Sequence, residues 1–171
     1  MPADEHKRDA PRRIRCFVLT VSDTRTDATD TSGRAISDLL TAAGHDVAGR
    51  AIVPDDQTAV RETIEAQLDA AQPVDAIITT GGTGISARDS TYEVIVSLLD
   101  KQLDGFGELF RMLSYEEIGA AAMMSRATAG LCRGRIVVSL PGSEGAVRLG
   151  MEKLVLPELG HMVQQAKKGT A

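Results

Sequence analysis

Residues 14–21, I-R-C-F-V-L-T-V, form an almost unbroken apolar run. A strand of this composition has both faces buried, as in a parallel sheet covered by helices, whereas an antiparallel sheet with one wet face alternates. The chain after it keeps to that architecture. Ile36, Leu39, Leu40 and Ala43 recur at helical spacing and stop at Gly44. A second strand over 47–53 runs into P-D-D, where Asp55 or Asp56 can cap a helix carrying Val60, Ile64, Leu68 and Ala71 on one stripe. A third strand over 76–80 ends in a glycine cluster. Ser90-Thr91-Tyr92-Glu93 then fits the S-x-x-E capping box, with Ser90 as N-cap of a helix that buries Val94, Ile95, Leu98 and Leu99. Strands alternating with helices predict an α/β fold: a three-layer α/β/α sandwich with a mostly parallel sheet, its site built by loops at the strand carboxyl ends.

The second half is less regular. Phe106, Leu109, Phe110 and Leu113 predict a turn or two of amphipathic helix, and Ser114-Tyr115-Glu116-Glu117 reads as a second capping box opening a separate short helix ended by Gly119. Residues 127–131 and 135–140 are strand-like around C-R-G, which predicts a hairpin or a bent pair. Ser143 is expected to cap a helix through Leu149 and Leu154, and Pro157 to sit in the first turn of a final helix burying Leu159, Met162, Val163 and Ala166. Residues 1–13 mix charge and proline without hydrophobic periodicity and are expected to be a disordered tail, leaving 14–171 as a single domain.

Composition narrows the function classes. The formal charge of −5 over 171 residues, with no Lys/Arg-rich stripe inside the domain, argues against a nucleic-acid surface. No apolar run approaches the ~20 residues of a membrane span, and none has the layout of a signal peptide, so no membrane association and a cytoplasmic location are expected. Cys16 and Cys132 lie far apart in apolar stretches without C-x-x-C spacing and read as reduced core thiols. His45 and His161 have no partner at metal-ligand spacing, so no zinc site is expected.

Three strand ends supply candidate chemistry: Ser22-Asp23, residues 80–90, and Pro141-Gly142-Ser143. In Gly81-Gly82-Thr83-Gly84 the missing side chains let backbone N–H groups wrap an anion, and the hydroxyls of Thr79, Thr80 and Thr83 can add donors. The cluster matches neither G-x-G-x-x-G nor G-x-x-x-x-G-K-[ST], and a tight turn without a ligand is an equally simple reading. Asp55 and Asp89 are candidate Mg²⁺ ligands, because Mg²⁺ is commonly held by one or two carboxylates plus substrate phosphates. The alternatives are a helix N-cap for Asp55 and a charge complementing a helix dipole for Asp89. Arg126, Arg133 and Arg135 could meet a phosphate, or be solvated arginines around a hairpin.

Five ordered blocks then stand out: V-S-D at 21–23, V-P-D at 53–55, T-T-G-G-T-G-I-S-A-R-D at 79–89, G-F-G-E-L-F-R at 105–111 and L-P-G-S at 140–143. Over residues 14–163 the chain resembles the MoaB/Mog family of molybdenum cofactor biosynthesis, which includes molybdopterin adenylyltransferases and the G domain of gephyrin. F-R-M-L-S-Y-E-E-I-G and S-R-A-T-A-G make it more similar to the MoaB branch. The resemblance implies a molybdopterin-binding α/β/α fold, a homotrimer or homohexamer, and Mg²⁺-dependent transfer of AMP from ATP to the terminal phosphate of molybdopterin. The family's two functional aspartates fall on Asp55 and Asp89, as catalytic groups and Mg²⁺ ligands. Thr80, Gly81, Gly82, Thr83, Gly84, Pro141, Gly142 and Ser143 would hold phosphate or pterin groups, with Ser22 and Asp23 lining the same crevice. The alternative is a non-catalytic molybdopterin or nucleotide carrier in the same pathway.

Overall fold

The structure is a computed structural model, described here over residues 7–168. Among these residues a six-stranded sheet has the order β2-β1-β3-β6-β5-β4, with β1 Arg15–Val21, β2 Asp46–Val53, β3 Ala76–Thr80, β4 Lys101–Gln102, β5 Thr128–Cys132 and β6 Arg135–Leu140. β2, β1, β3 and β6 run parallel, while β5 and β4 add two antiparallel edges. The helices are α1 Thr31–Ala42, α2 Gln57–Leu68, α3 Thr91–Leu98, α4 Asp104–Ile118, α5 Glu144–Gly150 and α6 Leu156–Lys167.

Alternation along the central strands feeds two cores. Cys16, Val18, Ala76, Ile78, Ile136 and Val138 face α1, α4, α5 and α6. Phe17, Leu19, Ile77 and Val137 face α2 and α3. The three-layer sandwich follows from this double burial, as the apolar run of β1 requires. The chain visits β2 on one side of β1 and β3 on the other, so the strand order reverses between β1 and β3. Loops leaving their carboxyl ends therefore diverge to opposite faces and open a crevice.

Several elements differ from the sequence reading. Residues 104–118 form one helix, with Ser114 buried in its interior instead of capping a second one. Phe106, Phe110 and Ser114 share the buried stripe, and packing of that stripe carries the helix through the box. Leu109, expected inside, is exposed. The edge strand β4 is two polar residues long, which left no sequence pattern to detect. Between α5 and α6 the chain stays helical through a π-turn, Met151–Val155. The wider turn accommodates Pro157, which has no N–H to donate and crowds the carbonyl four residues back. The hairpin is present, turning at Arg133 (φ 50°) and Gly134 (φ 74°).

Of the expected disordered tail at 1–13, residues 1–6 lie outside the described residues. From Lys7 onward the chain lies against the domain: Lys7 pairs with Glu158, and Arg13 forms a two-pronged pair with Asp46 at 2.7 Å. No helix among the described residues is long and apolar enough to cross a membrane.

Cys16 and Cys132 are free and buried. Burial pushes the Cys16 thiol up to about 12 and raises Cys132 as well. Because the thiolate is the reactive form, neither cysteine should be alkylated by iodoacetamide at pH 8 in the folded protein, and both should react in guanidinium. Mass spectrometry of the intact chain measures this directly.

Candidate functional site

All four parallel strands end at one edge of the sheet, and the loops that follow them enclose a cleft of about 480 Å³. Its wall includes Ser22 after β1, Asp55 after β2, Thr80 to Gly84 and Asp89 after β3, and Pro141 and Gly142 after β6. The glycine loop forms the floor. Gly82 adopts φ 71°, and a Cβ there would collide with Thr91 Oγ1, so no other residue fits this turn. The Gly81 N–H continues the sheet by donating to Leu140 O at 2.9 Å. The next three N–H groups, of Gly82, Thr83 and Gly84, make no hydrogen bond among the described residues. Three consecutive unpaired amides in a concave wall are suited to an anion.

The carboxylates around this floor are individually braced. Asp56, not Asp55, caps α2, accepting from Ala59 N at 2.9 Å. Asp55 is thereby released to the cleft. Its Oδ1 accepts from Ser90 Oγ at 3.0 Å and Ser90 N at 3.4 Å, and its own N–H donates to Asp23 Oδ1 at 3.1 Å. Ser90 does precede α3 as expected, but its hydroxyl serves Asp55 and makes no cap bond. Asp89 Oδ2 accepts from Ser86 N at 2.9 Å. Asp55 Oδ2 and Asp89 Oδ1 make no hydrogen bond among the described residues, so each carboxylate has one oxygen committed to its position and one available.

Two expected binding residues are elsewhere. Ser143 caps α5 through Ala146 N at 3.3 Å and is not part of the cleft wall. Asp23 is not part of the wall and ties Arg88 of the glycine loop to the Asp55 backbone. The threonine hydroxyls are also less available than the sequence suggested. Thr80 donates to Pro141 O at 2.7 Å, which fixes the Pro141-Gly142 turn, and Thr79 is fully buried on the opposite side of β3 with Ile77. Ser22 Oγ accepts from Thr24 N and Arg25 N, shaping its own turn.

Sequence reasoning passed over Asp30, Ser32, Arg25, Met124 and Ser125, all in the wall. Asp30 is 1% exposed, caps α1 through Gly33 N at 2.9 Å, accepts from Thr20 Oγ1 at 2.7 Å and pairs with Arg50 at 3.4 Å. An N-cap aspartate ahead of the α1 periodicity was a readable signal. Met124 and Ser125 had none, because the tertiary fold alone carries them to the glycine loop, through Arg126 N donating to Thr83 O at 3.0 Å. Arg126 supports the glycine loop, whereas Arg133 and Arg135 sit in half-exposed ion pairs with Asp69, Glu65 and Asp75.

Among the described residues no three His, Cys, Asp or Glu side chains converge at metal-binding spacing. The pair Asp55 and Asp89 instead offers two hard oxygens beside an anion cradle, a donor set suited to Mg²⁺ shared with a phosphate.

Residues 17–161 match the family model described as a probable molybdopterin binding domain. The chain belongs to the MoaB/Mog family of molybdenum cofactor biosynthesis proteins. It is 52% identical over 169 residues to molybdenum cofactor biosynthesis protein B of Bacillus subtilis, covering 98% of this chain and 99% of the relative. A crystal structure of a molybdenum cofactor biosynthesis protein B superposes with a TM-score of 0.88 at 50% identity, over 92% of this chain and 98% of the other. The structure of the tungsten cofactor synthesizing protein MoaB from Pyrococcus furiosus matches with a TM-score of 0.79 at 40% identity, covering 93% of this chain and 100% of that one. The MoaB/Mog fold is thus the mostly parallel sandwich described above.

The division of labour between neighbouring aspartates is open to measurement. Asp56→Ala should cost about 1 kcal/mol of stability through loss of the α2 cap, and Asp55→Asn should cost much less. Urea unfolding followed by circular dichroism compares the two.

Proposed function

We propose that this MoaB/Mog protein transfers AMP from ATP to the terminal phosphate of molybdopterin, with Mg²⁺, in the cytoplasm. The observation that carries the reading is the cleft itself: Gly82, Thr83 and Gly84, whose backbone N–H groups are unpaired among the described residues, line it together with two aspartates that each keep one oxygen available. An oxygen of the molybdopterin phosphate attacks the α-phosphorus of ATP. The new P–O bond forms as the bond to the bridging α–β oxygen breaks, and pyrophosphate leaves with the electron pair. No proton has to be removed from an anionic phosphate, so the protein needs no general base and no covalent nucleophile. Its work is positioning and charge stabilisation.

Mg²⁺, when bound, supplies neutralisation of the charge on the phosphoryl oxygens. Asp55 and Asp89 would hold it, and Ser90, Ser86 and Asp23 keep those carboxylates and their loops in place. The Gly82 to Gly84 amides take a phosphoryl group, and the Pro141-Gly142 turn, fixed by Thr80 and by Ser32 Oγ at 2.7 Å from Gly142 O, lines the cleft where the pterin would lie.

A second reading, a carrier that holds molybdopterin or its nucleotide form without turnover, rests on the scarcity of cations. Among the described residues Arg25 is the one Lys or Arg in the cleft wall, and it already donates to Thr29 O at 2.6 Å. Incubation with molybdopterin and Mg-ATP separates the two: the transferase releases pyrophosphate, and the carrier binds pterin and releases none. Asp89→Asn keeps an acceptor for Ser86 N and should fold normally while losing at least a hundredfold in transfer rate. Transfer at the unmutated rate would reduce Asp89 to a loop-capping residue.

We further propose a homotrimeric or homohexameric assembly. Leu109, Met112, Tyr115 and Ile118 on α4, with Met123 and Met124 after it, leave large apolar side chains exposed along one segment. Such a concentration is unusual on a monomer. Light scattering coupled to size exclusion should give three or six times the chain mass of 18.2 kDa, and Met112→Glu with Tyr115→Glu should shift it toward monomer.

A further inference from the structure

We infer that Arg126 is a positioning residue of this site, holding the glycine loop and Asp89 in register from behind the cleft wall; the inference builds on the adenylyl-transfer reading. Residues 82–90 span the unpaired amides, Asp89 and the start of α3, yet they contain no regular secondary structure to keep these parts aligned. One guanidinium connects them. Arg126 Nε and Nη2 donate to Gly84 O at 3.0 and 2.7 Å, and Nη2 donates to Asp89 O at 3.1 Å. Nη1 pairs with Glu93 in the first turn of α3, and the guanidinium carbon lies 4.9 Å from the centre of the Tyr92 ring. The Arg126 backbone adds a bond to Thr83 O. The two ends of the loop and the helix that follows are therefore attached to one planar group.

The geometry exploits the guanidinium fork. A carbonyl at each end of the loop is bound by donors in one rigid plane, so the Gly84-to-Asp89 distance is set by that plane. A lysine ammonium could take over the two carbonyls that Nη2 serves, but it has no second and third nitrogen to donate to Gly84 O as Nε does and to Glu93 as Nη1 does at the same time. The Arg126 guanidinium, as donor to Glu93, also holds that carboxyl below its ordinary range. Arg126 is absent from the cleft wall, whereas its neighbours Met124 and Ser125 are part of it. Its hydrogen bonds run to the loop and to α3, and it acts on the cleft through them. The available Asp89 oxygen matters most when charge develops in transfer, so misalignment should appear in kcat more than in KM.

The test compares Arg126→Met, Arg126→Lys and Glu93→Gln with the unmutated protein by amide hydrogen exchange and by pyrophosphate release. The expected result is at least tenfold faster exchange in Arg126→Met at the hydrogen-bonded amides of the loop, Ser86, Asp89 and Ser90, with β1, β3 and β6 unchanged, and smaller increases in the other two variants. In the assay kcat should fall tenfold or more in Arg126→Met while KM for Mg-ATP moves less than threefold, and Arg126→Lys should recover part of kcat. Loop exchange equal to that of the unmutated protein, acceleration spread through β5 and the core strands, or an unchanged kcat would overturn the assignment. Should Arg126→Met fail to fold, Arg126→Lys and Glu93→Gln carry the comparison on the same criteria. If the unmutated chain releases no pyrophosphate, the transferase reading fails by itself, and the exchange data alone decide whether Arg126 sets the loop.

Discussion

The parallel pairing of β1, β3 and β6 is the constraint on which the rest of the structure depends. Parallel strands point their carboxyl ends to one edge, so every loop with chemical potential is delivered to the same side of the sheet. That pairing extends one residue into the glycine loop, where Gly81 N still donates to Leu140 O. Gly81 (φ 100°) and Gly82 (φ 71°) both take positive φ, and the ladder gives way to three amides without partners. The cleft floor is a sheet edge interrupted by a residue without a side chain.

Around this floor the loops hold one another. Asp23 joins the Asp55 backbone to Arg88, Asp55 joins α2 to Ser90, and Arg126 joins Gly84 to Asp89 and Glu93. Few of these bonds are deeply buried, and individually each exposed pair contributes little to stability. Their shared effect is geometric. An open carboxylate oxygen is useful only if the rest of its side chain is immobilised, and here one oxygen of each aspartate does that while the other remains available.

Legibility followed the range of the interactions. The α/β/α class, the strand runs, the Gly44 stop, the hairpin and the glycine loop were all readable, because each depends on periodicity or on backbone freedom within a few residues. Local rules failed where a distant partner competed for the same group. Ser90 and Glu93 form a capping-box pattern, but Ser90 turns to Asp55 and Glu93 to Arg126. Ser114 and Glu117 form the same pattern inside a helix that packing had already committed. Asp55 and Asp56 were equal candidates as caps, and only the path of the chain out of β2 made Asp56 the cap.

By itself, then, the amino-acid sequence determined the layers, the side of the sheet on which a site would form, and the family, since strand burial, turn glycines and ordered motifs are local properties of the chain. Only the tertiary structure decided which side chains enter the cleft. It placed Asp30, Met124 and Ser125 in the wall, left Asp23 and Ser143 out of it, and assigned Arg126 to the loop instead of to solvent. The reason is that a hydroxyl, carboxylate or guanidinium takes whichever partner the fold brings within about 3 Å. For Asp55 and Ser90, and for Arg126 and Gly84, those partners come from segments 35 and 42 residues apart, a relation that no local spacing encodes.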